Sequence, residues 1–182
     1  FDTVEQTHTD EISVPDVWQF AGYEKPFYIN VAYPFPATPP YVPDCAPGAV
    51  YNRKFSYKKA KNLARSIITF QGVSAGFDLF INGKYVGYSQ GSHYPSEFDV
   101  TDYLFDGEND VKVIVYKWTT GSWFECQDML RNNGIFREVY ITDVIENGVY
   151  EVSWSCKKHA NAYDCKVSVE MQTEKPSELC VT

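Results

Sequence analysis

The run GFDLFINGKYVGYS, residues 76–89, constrains the fold more than any other stretch of the chain. Apolar and polar residues alternate on both sides of Asn82-Gly83, and that dipeptide supplies the two positive-φ residues of a type I′ turn. The run therefore predicts a tight antiparallel hairpin. Four further segments, 50–57, 66–71, 111–118 and 136–142, repeat the pattern of short apolar runs bounded by Gly, Pro, Asn or Asp, and no long 3.6-residue periodicity competes with them. Regular short strands separated by turn signals predict an all-β sandwich.

The stretch YPFPATPPYVPDCAPG, residues 33–48, places six prolines in sixteen residues. So few backbone donors exclude an inner strand and predict a stiff, extended loop. Such a loop holds its shape at low entropic cost and suits the edge of a site or a surface packed on another domain. After Asp143 the alternation restarts as YEVSWSCKKHANAYDCKVSVEMQ, two strands around a polar turn. A lone two-stranded hairpin is marginal in water, so residues 1–144 are read as one domain and 145–182 as the incomplete opening of a next one.

Composition removes whole classes of function. With 14 Tyr, 12 Phe and 4 Trp the 182-residue chain has ample material for a core. A formal net charge of −8 leaves no basic stripe for phosphates, which excludes nucleic acid as a partner. There is no run of 18 apolar residues and no signal-peptide pattern at the start, so the expectation is no membrane and a cytoplasmic location. Five cysteines, an odd number without a C-x-x-C pair, indicate neither zinc nor a disulfide framework and are expected as free buried thiols. Among them Cys156 and Cys165 face each other across the predicted hairpin, continuing the apolar alternation of Val152, Trp154, Val167 and Val169 on what reads as a core face.

The chemistry concentrates in SWFECQDMLRNNGIFREV, residues 122–139, where Glu125, Gln127, Asp128, Arg131, Asn132 and Asn133 crowd between two aromatic-rich runs. On the residues alone three readings stay open: a carboxylate site for a sugar, a site for an alkali or alkaline-earth ion, or salt bridges closing a loop, with Arg131 and Arg137 available to Glu125, Asp128 or Glu138. Glu97 and Asp99 are read as structural, beside a turn at Thr101. No Ser/His/Asp set, phosphate loop or H-E-x-x-H motif appears. His8, His93 and His159 lie in separate polar segments and receive no role. Tyr33, Phe35, Tyr41, Trp118 and Trp123, near the proline loop and the polar connection, are the rings to test for exposure, because sugar C–H faces stack on aromatic rings.

Three blocks in order, residues 13–55, 68–118 and 121–141, resemble the N-terminal domain of family 2 glycoside hydrolases, specifically bacterial β-galactosidases: SVPDVWQFAGYEKPFYINVAYPFPATPPYVPDCAPGAVYNRKF, ITFQGVSAGFDLFINGKYVGYSQGSHYPSEFDVTDYLFDGENDVKVIVYKW and GSWFECQDMLRNNGIFREVYI. The resemblance implies a galactose-binding-domain-like jelly-roll β-sandwich, then an immunoglobulin-like β-sandwich, then a (β/α)8 barrel holding two catalytic glutamates. By that resemblance the chain is the N-terminal domain of a retaining glycosidase acting on terminal β-D-galactosides, itself carrying no catalytic residue and inactive alone. The aspartate of the family's Q-D-M segment, which contacts galactosyl hydroxyls and a sodium ion, maps onto Asp128. An Asn of the family's proline loop maps onto Thr38, which presents a hydroxyl instead of an amide. Leu130, Asn132 and Asn133 depart from the family pattern, and Glu125 and Arg131 are expected to orient the loop. No cofactor is expected in the chain alone; the resemblance implies sodium and magnesium in the parent enzyme, a β-galactoside reached through the barrel, and a homo-oligomer. The alternatives are a stand-alone carbohydrate-binding module and a scaffold domain that does not touch substrate.

Overall fold

The computed structural model describes residues 10–30, 32–36, 38–44, 46–125 and 128–173. Cys45, Cys126, Cys180, Gln127 and His8, all named in the sequence reading, lie outside the described residues. In chain order the strands are β1 Phe27–Ile29, β2 Gly48–Tyr57, β3 Leu63–Phe70, β4 Val73–Ser74, β5 Gly76–Ile81, β6 Lys84–Gln90 and β7 Ser96–Asp99. They continue with β8 Gly107–Tyr116, β9 Met129–Arg131, β10 Gly134–Ile135, β11 Val139–Ile145, β12 Gly148–His159 and β13 Ala162–Gln172. One 3-10 turn, Thr120–Trp123, follows β8. The chain is all-β, and its main body is a jelly-roll sandwich.

A four-stranded antiparallel sheet, β2-β8-β5-β6, faces a three-stranded one, β11-β3-β7. Period-2 alternation decides which side chains meet between them. On β5, Phe77, Leu79 and Ile81 are buried while Asp78 and Phe80 turn outward. Register then sets Phe77 opposite Val115 and Leu79 opposite Val113 on β8. Ile68 and Phe70 of β3 close the core from the other sheet, with Trp18, Val100, Leu104 and Ile135 sealing its ends. Phe70 and Phe77 pack at 4.7 Å between ring centroids, and Phe98 of β7 meets Phe77 edge-on at 5.8 Å.

The Asn82-Gly83 turn has the expected geometry, with φ of 51° at Asn82 and 73° at Gly83. It also does something periodicity cannot foretell. The Asn82 amide donates to Tyr103 O at 2.8 Å and to Asn109 Oδ1 at 2.8 Å, while its Oδ1 accepts from Asp110 N at 2.9 Å. The hairpin tip is thus tied to the loop that launches β8. Glu97 and Asp99 have structural partners: Asp99 Oδ1 accepts Thr101 N at 3.0 Å, and Glu97 Oε2 accepts Tyr150 OH at 3.1 Å.

β12 and β13 pair only with each other, and the strand register places Cys156 directly opposite Cys165. Two sequence expectations change here. The two cysteines are not free thiols but a disulfide, with Cα atoms 4.1 Å apart. Nor do they line a core: Val152, Trp154 and Val167 share one face with them, as alternation predicts, yet these side chains remain 55%, 75% and 55% exposed. Alternation fixes which residues share a face, not whether another layer covers it. No helix of the described residues is long and apolar enough to cross a membrane.

Candidate functional site

The polar stretch that read as one connection contains the 3-10 turn, β9 and β10, and its side chains divide into anchors and an exposed tip. Glu125 is an anchor: its Oε1 accepts Ser92 N at 2.6 Å and its Oε2 accepts Ser92 Oγ at 2.7 Å. Arg131 donates from Nη1 to the main-chain carbonyl of Glu125, and Arg137 donates to His93 O at 3.1 Å. Both arginines thus donate to main-chain carbonyls, which ties the connection to the backbone on either side of it.

Asn133 carries most of the anchoring and was not legible as such. It is buried, and its N–H donates to Gln19 Oε1 at 2.8 Å while its Nδ2 donates to Lys117 O at 3.0 Å. Gln19 Nε2 donates back to Asn133 Oδ1 at 3.2 Å and to Glu24 Oε2 at 3.0 Å. Trp18 Nε1 also donates to Glu24 Oε2, at 3.2 Å, and Lys117 pairs with Glu24 Oε1. Burial pushes the Glu24 carboxyl up, but hydrogen bonds from Lys117 and Trp18, the Lys117 charge and the Gln19 bond together outweigh it and hold the group below its ordinary value. Backbone bonds lock the same seam: Trp18 N to Asn133 O at 3.0 Å and Asp16 N to Ile135 O at 2.9 Å. Gly134 is obligatory between them, since at φ +132° an added Cβ would meet Asp16 O and the Tyr51 hydroxyl at 2.9 Å each. Gln19 and Asn133 lie 114 residues apart in sequence, so only the fold unites them.

Asp128 differs from these anchors. It is exposed at the entry to β9, where β9 pairs with β1 in the register Met129 to Ile29. Because the pair is antiparallel, the chain leaves β1 toward the proline loop at the same end where Asp128 enters β9. Thr38 is exposed on that loop, at a turn in which Thr38 O accepts Tyr41 N at 3.0 Å. The two residues assigned by resemblance therefore hang on segments that diverge from one edge. Asp128 is not sealed in the sandwich.

The proline loop is nailed down by rings. Phe35 packs on Trp118 at 5.2 Å and edge-on against Trp123 at 5.0 Å, and Tyr33 lies 4.5 Å from Trp123 with its hydroxyl donating to Trp123 O at 3.2 Å. Of the five rings singled out from sequence, Phe35 and Trp123 are buried and Tyr33 and Tyr41 are exposed, with Trp118 between. On the other side of Glu125 an open depression of about 640 Å³ is lined by Gln90, His93, Tyr94, Gly121 and Phe124. Tyr94 and Phe124 were missed as candidates, and their rings are 79% and 85% exposed.

Among the described residues no three His, Cys, Asp or Glu side chains converge into a metal site. Asp128 offers one hard carboxylate, which suits sodium chemically, but one ligand is not a coordination shell.

The chain matches the family model described as glycosyl hydrolases family 2, sugar binding domain, over residues 3–144. It is 46% identical to a β-galactosidase of Oenococcus oeni over 136 residues, covering 74% of this chain and 13% of that protein. It is 42% identical to a β-galactosidase of Alteromonas mediterranea over 165 residues, covering 91% of this chain and 16% of that protein. The chain thus spans about a sixth of the length of these relatives or less. Among solved structures, a family 2 β-galacturonidase from Eisenbergiella tayi superposes with a TM-score of 0.66 at 16% identity, covering 93% of this chain and 26% of that one. An FMN-binding β-glucuronidase from Faecalibacterium prausnitzii gives a TM-score of 0.65 at 18% identity, covering 91% and 25%. At such identities these two speak for the fold alone, whereas the family match covers most of the sandwich: the chain belongs to glycosyl hydrolase family 2 and carries that family's sugar-binding domain.

Proposed function

We propose that the chain is the N-terminal domain of a β-galactosidase-like retaining glycoside hydrolase, in which Asp128 forms a lip of the galactosyl subsite of a catalytic barrel outside these 182 residues. Residues 145–182 then open an immunoglobulin-like domain that joins the two. The observation that carries the reading is an exposed carboxylate on a connection anchored at Glu125, Arg131 and Asn133, in a chain 42–46% identical to proteins named β-galactosidase. An ionised carboxylate accepts hydrogen bonds only, so it suits a sugar that presents several hydroxyl donors. Retaining hydrolysis takes an acid and a nucleophilic carboxylate about 5 Å apart across the glycosidic bond, and the barrel would supply both. Thr38, by the same reading, offers a shorter hydroxyl contact to the substrate from the proline loop that leaves the same edge. Sodium at Asp128 would need its remaining oxygens from the barrel, and among the described residues no cluster of carboxylates converges to hold magnesium. The parent would be a homo-oligomer. A cytoplasmic setting belongs to the same reading, and it would expose Cys156–Cys165 to a reducing thiol pool, so the state of that pair in protein from its native source bears on location.

The test is Asp128→Ala in the full-length enzyme with a chromogenic β-galactoside. A hydrogen bond to a charged group is worth about 2 kcal/mol, so kcat/KM is expected to fall roughly 30-fold. Unchanged kcat/KM would overturn the assignment. A second reading, a stand-alone carbohydrate-binding module, is favoured by Tyr94 and Phe124 beside the open depression. Titration of the isolated chain with galactose and lactose separates the two, since a module binds alone and a lip does not. A scaffold without substrate contact called for a buried Asp128, and the exposed position speaks against it.

A further inference from the structure

We infer that Gln19, Glu24, Lys117 and Asn133 are positioning residues for the sugar lip, a charged root inside the sandwich that aims the β1–β9 ribbon and, at its far end, Asp128. The inference rests on the reading of Asp128 given above and moves from the residue that meets the sugar to those that hold it in place.

The geometry of the ribbon carries it. β1 and β9 form a two-stranded antiparallel sheet in which Phe27 faces Arg131 and Ile29 faces Met129. One end of the ribbon is therefore the start of β1 and the finish of β9, and the other is where Asp128 enters. Glu24 precedes β1 by three residues and Asn133 follows β9 by two, so both sit at the first end. Gln19 joins them, its Nε2 donating to Glu24 Oε2 at 3.0 Å and to Asn133 Oδ1 at 3.2 Å. Lys117, directly after β8, also serves both strands: its ammonium pairs with Glu24, and its carbonyl accepts Asn133 Nδ2 at 3.0 Å. Gln19, Lys117 and Asn133 are buried, so the root belongs to the packed domain and not to a free surface.

A root of this kind has leverage. Three residues of strand carry the chain from Arg131 back to Asp128, a span of about 10 Å, so a tilt of about 10° at the base moves the tip by roughly 2 Å. A displacement of about 1 Å already forfeits much of what a positioned group contributes in a transition state. Glu24 accepts from Trp18, Gln19 and Lys117 together, and hydrogen bonds to an ionised carboxylate are short and directional. Neutralising it loosens both strands at once.

The test is a kinetic double-mutant cycle in the full-length enzyme with the chromogenic β-galactoside, rates being expressed per active site. Glu24→Gln is expected to lower kcat/KM about tenfold, but less than about twofold in an Asp128→Ala background, because the group it aims is then gone. Equal losses in both backgrounds would overturn the positioning role and leave the lip standing. Unchanged kcat/KM in Asp128→Ala alone would bring down the lip and this inference with it. Wild-type kcat/KM with a lowered Tm in Glu24→Gln would assign the root to stability only and overturn the role. Asn133→Ser keeps the main-chain bonds to Gln19 and Trp18 but withdraws the amide from Lys117 O; it should show the same cycle, also where Glu24→Gln does not fold. Hydrogen exchange reads the ribbon without substrate. In either variant the amides of β1 and β9 should exchange roughly tenfold faster, with β3, β5 and β8 unchanged; wild-type exchange in the ribbon would mean that it is aimed from elsewhere and would refute the root.

Discussion

Phe77→Ala is expected to destabilise the sandwich by about 4 kcal/mol, the cost of emptying a buried aromatic site, and to lower Tm by roughly 12 °C in a chain of this size. Phe77 is only 2% exposed and sits where both sheets meet, between Phe70 and Phe98. Truncation removes its transfer free energy and both ring contacts, and neither neighbour can fill the space without leaving its own strand register. Phe77→Leu, which keeps most of the volume, should lose less than half as much. Chemical denaturation monitored by circular dichroism decides the matter. A loss below about 1 kcal/mol would mean that the two sheets do not share this core.

Lys117→Met should cost about 3 kcal/mol, because it strands Glu24 without its counter-charge in a partly buried position. The Lys117 and Glu24 side chains are 10% and 28% exposed, so water screens the pair only in part. The loss has a pH signature. The folded-state pKa of Glu24 lies below its ordinary 4.5, so the pair's contribution is present above that value and disappears as pH falls through the folded pKa. The stability gap between wild type and variant should therefore be widest near neutrality and close in acid. A gap independent of pH would point to lost packing of the lysine stem over Trp118, whose ring centroid is 5.3 Å from Nζ. Combining Lys117→Met with Glu24→Gln should lose less than the sum of the two.

The central strands were legible because each buries one face against the opposite sheet, and period-2 alternation records that directly. β2, β3, β5, β6, β8 and β11 all fall where the pattern or the Asn-Gly turn places them, within a few residues. β1, β4, β9 and β10 were not legible: they are two or three residues long and exist through partners distant in sequence, such as Phe27 with Arg131. The site divides in the same way. A string of polar residues announces hydrogen bonding but not its partners, so Asn133 read as a departure from a family pattern when it is the buried link between Gln19 and Lys117. Asp128 was reached through resemblance alone, since nothing in its local spacing separates an exposed lip from a salt-bridged turn.

The proline loop's attachment through Tyr33 and Phe35 leaves Thr38 contributing only backbone groups to its turn. Among the described residues its exposed side chain takes no part in that turn. Side chains of different size and polarity can occupy that exposed spot on an unchanged main-chain path, so the loop can vary there without disturbing the rings that hold it.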